Sequence, residues 1–154
     1  MSYQEKKSLT NIISSIVITS IYAFIMYQKY LGGVLDDSNI FRFWAIIILI
    51  FIPISVVARI IILIIFHILE AVIQTVKGEE VDTDMDIVDE RDKLIEMKAS
   101  KISLIIFSIG FIIALVIQLF DVSNHVFFIT LIVSGFITDI VSETLMITYY
   151  RKGM

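Results

Sequence analysis

Three charged residues, Arg59, Asp139 and Glu143, lie within long apolar segments of the chain. Insertion scales assign a cost of ~2.5–3.5 kcal/mol to an arginine or aspartate at the centre of a membrane span, so such residues are expected to have partners. An arginine beside a carboxylate neutralises both charges. Two carboxylates against one arginine predict that one carboxylate stays protonated. Such a group is what proton-coupled transporters use, and a neutral hydrogen-bonding group is the equal alternative.

The expected depths of these residues favour an intramembrane charge cluster. The second apolar segment ends near Phe66, which places Arg59 ~10 Å from that boundary. The fourth ends near Tyr149, which places Glu143 ~9 Å from the same boundary and Asp139 ~6 Å deeper. Helical side chains lean toward the N-terminus of their helix, which directs Arg59 toward Asp139. The alternative is snorkelling of Arg59 to the inner phosphates.

Small and polar residues repeat along the same segments. Such a strip lets helices approach closely and form hydrogen bonds across their contact. We therefore expect a tightly packed interior in preference to a transport pathway. The strip comprises Thr130, Ser134, Thr138 and Ser142 with Gly135 in the neighbouring row, then Ser103, Gly110, Ala114 and Gln118, and finally Ser15 and Thr19.

An acidic run, residues 79–96, carries nine acidic side chains. Its Asp82-x-Asp84-x-Asp86 spacing resembles the start of a calcium-binding loop. Ile87 stands where that loop requires glycine, and Lys93 stands where it requires a bidentate glutamate. The run is therefore expected to be a solvated linker, with calcium binding as the minor alternative.

Other site chemistries find little support in the residues present. The chain has no cysteine and two histidines, His67 and His125, which fall at opposite span boundaries and are expected to be interfacial polar residues. We find no catalytic triad, phosphate-binding glycine loop or metal-ligand spacing in the sequence. The expectation is a non-enzymatic protein with no cofactor and no metal.

The composition identifies the elements that must position the charges. Hydrophobic residues make up 58% and charged residues 18% of the 154 positions, unlike an ordinary soluble domain. A bilayer core needs ~20 apolar residues per helix. Four segments qualify: 12–30, 43–66, 102–120 and 126–149. We predict an all-α membrane protein with one domain over 1–154, a four-transmembrane-helix bundle of two antiparallel hairpins.

The distribution of lysine and arginine predicts the orientation. Nine of them fall at the termini or in the loop 67–101, against two, Lys29 and Arg42, on the other side. Positive residues accumulate on the cytoplasmic side. Both termini and the loop 67–101 are therefore expected in the cytoplasm, with the protein in the plasma membrane. The 34 isoleucines indicate an AT-rich coding sequence, which is typical of a bacterial source.

The loop 67–101 is expected to be partly helical. Polar residues at helical spacing continue the second span to Lys77, and Gly78 ends it. Asp89 is a suitable N-cap for a helix that leads into the third span. A short cytoplasmic helical hairpin of residues 66–77 and 89–101 is the prediction.

The predicted helix that begins at Asp89 has a sequence similar to that of a known protein family. Asp89-Glu90-Arg91-Asp92-Lys93-Leu94-Ile95, followed by Lys98-Ala99-Ser100-Lys101-Ile102-Ser103, resembles the signature of an uncharacterised family of small prokaryotic multi-span membrane proteins. In that family a D-E-R-D-x-x-I segment precedes a span. The resemblance implies fold and membrane location, and it implies no activity.

Two function classes remain open. The first is a membrane-embedded interaction or regulatory module, whose working surface is the cytoplasmic hairpin, the acidic run and the motif Asp89, Glu90, Arg91 and Asp92. Its partner would be a basic cytosolic protein or another membrane protein, and nucleic acid is not expected. The second is a small proton-coupled transporter that acts as a homo-oligomer through Asp139 and Glu143.

Overall fold

The computed structural model describes residues 3–33, 38–77 and 90–153, and this part of the chain is all-α. Helix α1 spans Tyr3–Leu31, α2 spans Ile40–Lys77, α3 spans Glu90–Ile117 and α4 spans Asn124–Lys152. A short 3₁₀ turn, Gln118–Phe120, follows α3. All four α-helices are long and apolar enough to cross a membrane.

The helix ends follow from local residues. The hydroxyl of Ser123 accepts a hydrogen bond from the His125 N–H at the start of α4. At the other end, Gly153 takes a left-handed conformation (φ 71°) and its N–H bonds the carbonyls of Tyr149 and Tyr150. Glycine adopts this conformation at low cost, which is why it commonly ends helices. Pro53 lies inside α2, which continues through it.

The helices pack in the order α2, α1, α4, α3, and α2 also touches α4. Lys6 of α1 pairs with Glu70 of α2 and Tyr22 bonds Ile47, so these two helices are antiparallel. Glu5 pairs with Arg151 of α4 and Ser15 bonds Asp139, so α1 and α4 are antiparallel as well. We call the end that holds the start of α1 and the end of α4 the terminal end. The opposite end, where α1 connects to α2 and α3 to α4, is the hairpin end.

The predicted cytoplasmic hairpin needs a correction. Its two segments are helical, as parts of α2 and α3, but these helices form no substantial contact with each other in the described residues. The reason is that α1 begins at Tyr3, well before the predicted span at 12. The first turns of α1 contact both: Tyr3 packs against Phe66 and His67, and Gln4 donates to Asp92.

The described interior is small and largely polar. Six hydrophobic residues are buried, while most large apolar side chains of all four helices are exposed. The apolar cluster at the hairpin end comprises Tyr22, Phe43 and Ile47. Buried polar residues are more numerous, with eight in the described ranges: Glu5, Ser8, Ser14, Ser15, Glu70, Ser103, Ser134 and Glu143. Such a distribution is the reverse of a water-soluble domain.

Candidate functional site

A charged cluster joins three helices near the middle of the molecule. Arg59 Nη1 donates to Asp139 Oδ1 at 3.2 Å, and Nη2 forms an ion pair with Oδ2. Ser15 contacts both groups, because its hydroxyl bonds Asp139 Oδ2 and lies beside Arg59 Nη2. The structure thus brings Arg59 to Asp139, the deeper of the two carboxylates.

A cavity of about 910 Å³ lies between α1, α2 and α4, and the charged cluster forms its floor. Its walls are mostly apolar and aromatic, and its size falls within the range of small-molecule sites, ~300–1,000 Å³. At the hairpin end, Trp44 Nε1 donates to His125 Nδ1 at 3.0 Å, and Trp44 stacks on Phe128. Because indole is only a donor, His125 Nδ1 is the acceptor and carries no proton there.

Glu143 lies one helical turn closer to the terminal end than Asp139, and it contacts different residues. Asn11 Nδ2 donates to Glu143 Oε1 at 2.9 Å, and the Ser8 side chain lies beside the carboxylate. Oε2 is buried and has no hydrogen-bond partner in the described part of the chain. Glu143 therefore does not share the Arg59–Asp139 ion pair.

These contacts line up along the interface of α1 and α4. From the floor of the cavity to the terminal end they are Ser15–Asp139, then Asn11 and Ser8 with Glu143, then Glu5 with Arg151 at 3.7 Å. We call this row the polar seam; it comprises Glu5, Ser8, Asn11, Ser15, Asp139, Glu143 and Arg151. It runs from the cavity to the terminal end.

A second set of polar contacts joins all four helices at the terminal end. Lys6 of α1 forms an ion pair with Glu70 of α2. Gln4 of α1 donates to Asp92 Oδ2 of α3 at 3.4 Å, and Asp92 also lies beside the Tyr150 hydroxyl of α4. These contacts fix the relative positions of the four helices at this end.

The residues of the motif Asp89–Asp92 have different surroundings in the structure. Asp92 joins three helices, while Glu90 and Arg91 lie on the exposed surface of the first turn of α3. Asp89, the predicted N-cap, lies outside the described residues, as does the acidic run from Glu79 to Asp89. Within the described ranges, no group of three or more metal-ligating side chains occurs.

The strip of small and polar residues packs closely, as expected, but its hydroxyl groups on α4 form hydrogen bonds within their own helix. A Cβ atom added to Gly110 of α3 would lie 2.5 Å from Ser134 Cβ of α4, so these helices are in close contact. The hydroxyls of Thr130, Ser134 and Thr138 donate to carbonyls four residues earlier in α4. Of the strip's hydroxyls, Ser15 bonds across a helix contact, whereas these three use the carbonyls of their own helix, which are within reach at this spacing. Gln118 lies in the 3₁₀ turn beyond α3.

Sequence reasoning missed the seam partners on α1. Glu5, Ser8 and Asn11 precede the apolar segment 12–30, yet their spacing of three, three and four residues up to Ser15 is that of one helical face. His125 was expected only as an interfacial residue, and its bond to Trp44 was not foreseen.

Comparison of the chain with models of known families, with characterised proteins and with solved structures found no match. The family resemblance of the Asp89–Asp92 motif stays a prediction.

Proposed function

We propose that the chain is a multi-pass membrane protein of the plasma membrane, with both termini and the loop between α2 and α3 in the cytoplasm. The exposed apolar surface of the four helices supports membrane insertion, because lipid is the solvent that such a surface requires. The excess of lysine and arginine at the terminal end supports the orientation.

The orientation is tested in intact cells with single cysteines, since the chain has none of its own. Thr83→Cys in the cytoplasmic loop is expected to resist an impermeant thiol reagent. Ser38→Cys, between α1 and α2, is the matched control and is expected to react. Labelling of Thr83→Cys together with protection of Ser38→Cys would reverse the proposed orientation.

The function that we propose is that of a non-enzymatic interaction or regulatory module, with its working surface at the terminal end. The observation that carries this proposal is the last part of α2, residues 71–77, which we call the α2 overhang. It continues past the level at which Lys6 pairs with Glu70, and the side chains of Val72 and Val76 stay 53% and 82% exposed. Exposed apolar residues at a charged, aqueous boundary are typical of protein contacts.

The partner is proposed to be a basic cytosolic protein or another membrane protein, which would meet the apolar overhang and the neighbouring acidic run. Affinity capture in mild detergent tests this with Val72→Lys/Val76→Lys against Leu119→Lys, which makes the same change at the hairpin end. The overhang variant is expected to lose a partner that Leu119→Lys retains. An identical set of partners in both variants would contradict the proposal.

A second candidate function is a small proton-coupled transporter that acts as a homo-oligomer. The observation in its favour is the cavity, whose floor holds Asp139 with its side chain 31% exposed. A ligand in this cavity would contact a charged pair in otherwise apolar surroundings. Mass measurement of the protein in lipid nanodiscs tests the oligomer: two or more copies per disc are expected, and a strict monomer would contradict this candidate.

A further inference from the structure

The polar seam contains three carboxylates, and they differ in their partners. Asp139 forms an ion pair with Arg59, and Glu5 lies 3.7 Å from Arg151. No ion pair involves Glu143 in the described part of the chain, where the neutral side chain of Asn11 donates to it and that of Ser8 lies beside it. Glu143 is therefore the one seam carboxylate without a cation in these ranges.

The lack of a cation partner matters for Glu143 because its carboxylate is buried. Glu143 is 8% exposed, and its Oε2 atom is buried without a hydrogen-bond partner among the described residues. An uncompensated carboxylate in such surroundings is costly, and uptake of a proton removes the charge. The charged groups that act on Glu143 are Asp139 on its own helix and Arg59 on α2; they are paired with each other and act on it in opposite directions.

Both ends of the seam approach this carboxyl group. Asp139, on the floor of the cavity, precedes it by one turn of α4, and side chains at that spacing have Cβ atoms ~5–6 Å apart. On the other side, Ser8 lies beside Glu143, and Glu5 lies one turn further toward the terminal end. A hydrogen-bonded water molecule can connect polar groups that do not touch directly, so a proton could pass between these neighbours.

We propose that Glu143 is an exchangeable proton-binding site, reached from the cavity past Asp139 and from the terminal end past Glu5 and Ser8. A hydronium ion gives its proton to a Glu143 oxygen and leaves water, and the reverse transfer to water or carboxylate releases the proton on the other side. This inference rests on the transporter candidate and names the group that would bind its coupling ion.

Infrared spectroscopy of the full-length protein in proteoliposomes tests the site. Among the 16 Asp and Glu residues, Glu143 is expected to contribute a carboxylic C=O band of its own that changes with pH. This band is lost in Glu143→Gln and retained in Glu143→Asp. Asp121→Asn, at the hairpin end, is the matched control and keeps the band. An unchanged band in Glu143→Gln, or no such band in the wild type, would overturn the proposal.

Proton uptake into the same vesicles, followed with an internal pH dye under a potassium diffusion potential, separates the two claims. At least a tenfold loss of uptake in Glu143→Gln supports both the site and the transporter. A titrating Glu143 band in a wild type that conducts no protons supports the site and contradicts the transporter. Measurable uptake by the wild type that is equally large in Glu143→Gln overturns the proposed site.

Discussion

Helix α4 packs against two neighbours, and the two interfaces differ in chemistry. Against α3 the contact is close and depends on small residues: Ala99 and Ala114 are fully buried, and Gly110 faces Ser134. Against α1 the contact is the polar seam, with the Glu5–Arg151 ion pair and the buried carboxyl group of Glu143, and Asp139 of this seam also pairs with Arg59 of α2. In apolar surroundings a helix can thus be held by steric fit on one side and by hydrogen bonds and charges on the other.

The largest effect is expected on the polar side. Arg59→Met leaves Asp139 without its cation, and loss of one partner from a buried pair typically costs ~3–5 kcal/mol. Because both side chains border the cavity, we expect about 3 kcal/mol, at the lower end of that range. The measurement is the free energy of unfolding in mixed micelles, with the exposed Arg42→Met as control. Equal losses for the two variants would show that the pair does not stabilise the protein.

The steric side should yield a somewhat smaller loss. Gly110→Ala overpacks the contact with Ser134 and is expected to cost ~1–3 kcal/mol. Ser134→Gly removes the opposing side-chain atoms, so the double variant should recover part of the loss in the same unfolding assay. Gly135→Ala, whose Cβ would meet its nearest neighbour, Phe107, at 4.0 Å, is the matched control and should be tolerated. Full tolerance of Gly110→Ala would mean that α3 and α4 do not pack this closely.

The smallest effect concerns the apolar cluster at the hairpin end. The Tyr22 hydroxyl donates to the Ile47 carbonyl at 2.6 Å and joins α1 to α2. Tyr22→Phe removes this bond and keeps the ring, so about 1 kcal/mol of stability should be lost. Tyr27→Phe, on an exposed ring of the same helix, is the comparison. A larger loss for Tyr27→Phe would contradict the contact.

The sequence predicted the four helices because each contains an apolar segment of membrane length, and it directed attention to Arg59 and Asp139 because charges in such segments need partners. It did not predict the extent of α1, because residues 3–11 are polar and carry no apolar periodicity. That single omission hid both Asn11 as the partner of Glu143 and the insertion of α1 between the ends of α2 and α3.

The hydroxyl residues of α4 show a second limit. Their spacing correctly indicated close helix packing, but the pattern of residue types is the same whether a hydroxyl bonds across an interface or to its own helix. Ser15 bonds Asp139 across the interface, whereas Ser134 bonds Thr130 within α4. Only the positions of neighbouring acceptors decide between the two.

The most direct test of this account is a pair of double-mutant cycles in detergent-solubilised protein, Arg59→Met with Asp139→Asn and Arg59→Met with Glu143→Gln. Residues in direct contact couple by ~0.5–3 kcal/mol. The contacts predict coupling at the upper end of that range with Asp139 and a clearly smaller value with Glu143. Strict additivity of Arg59→Met and Asp139→Asn would contradict the ion pair and leave snorkelling as the role of Arg59.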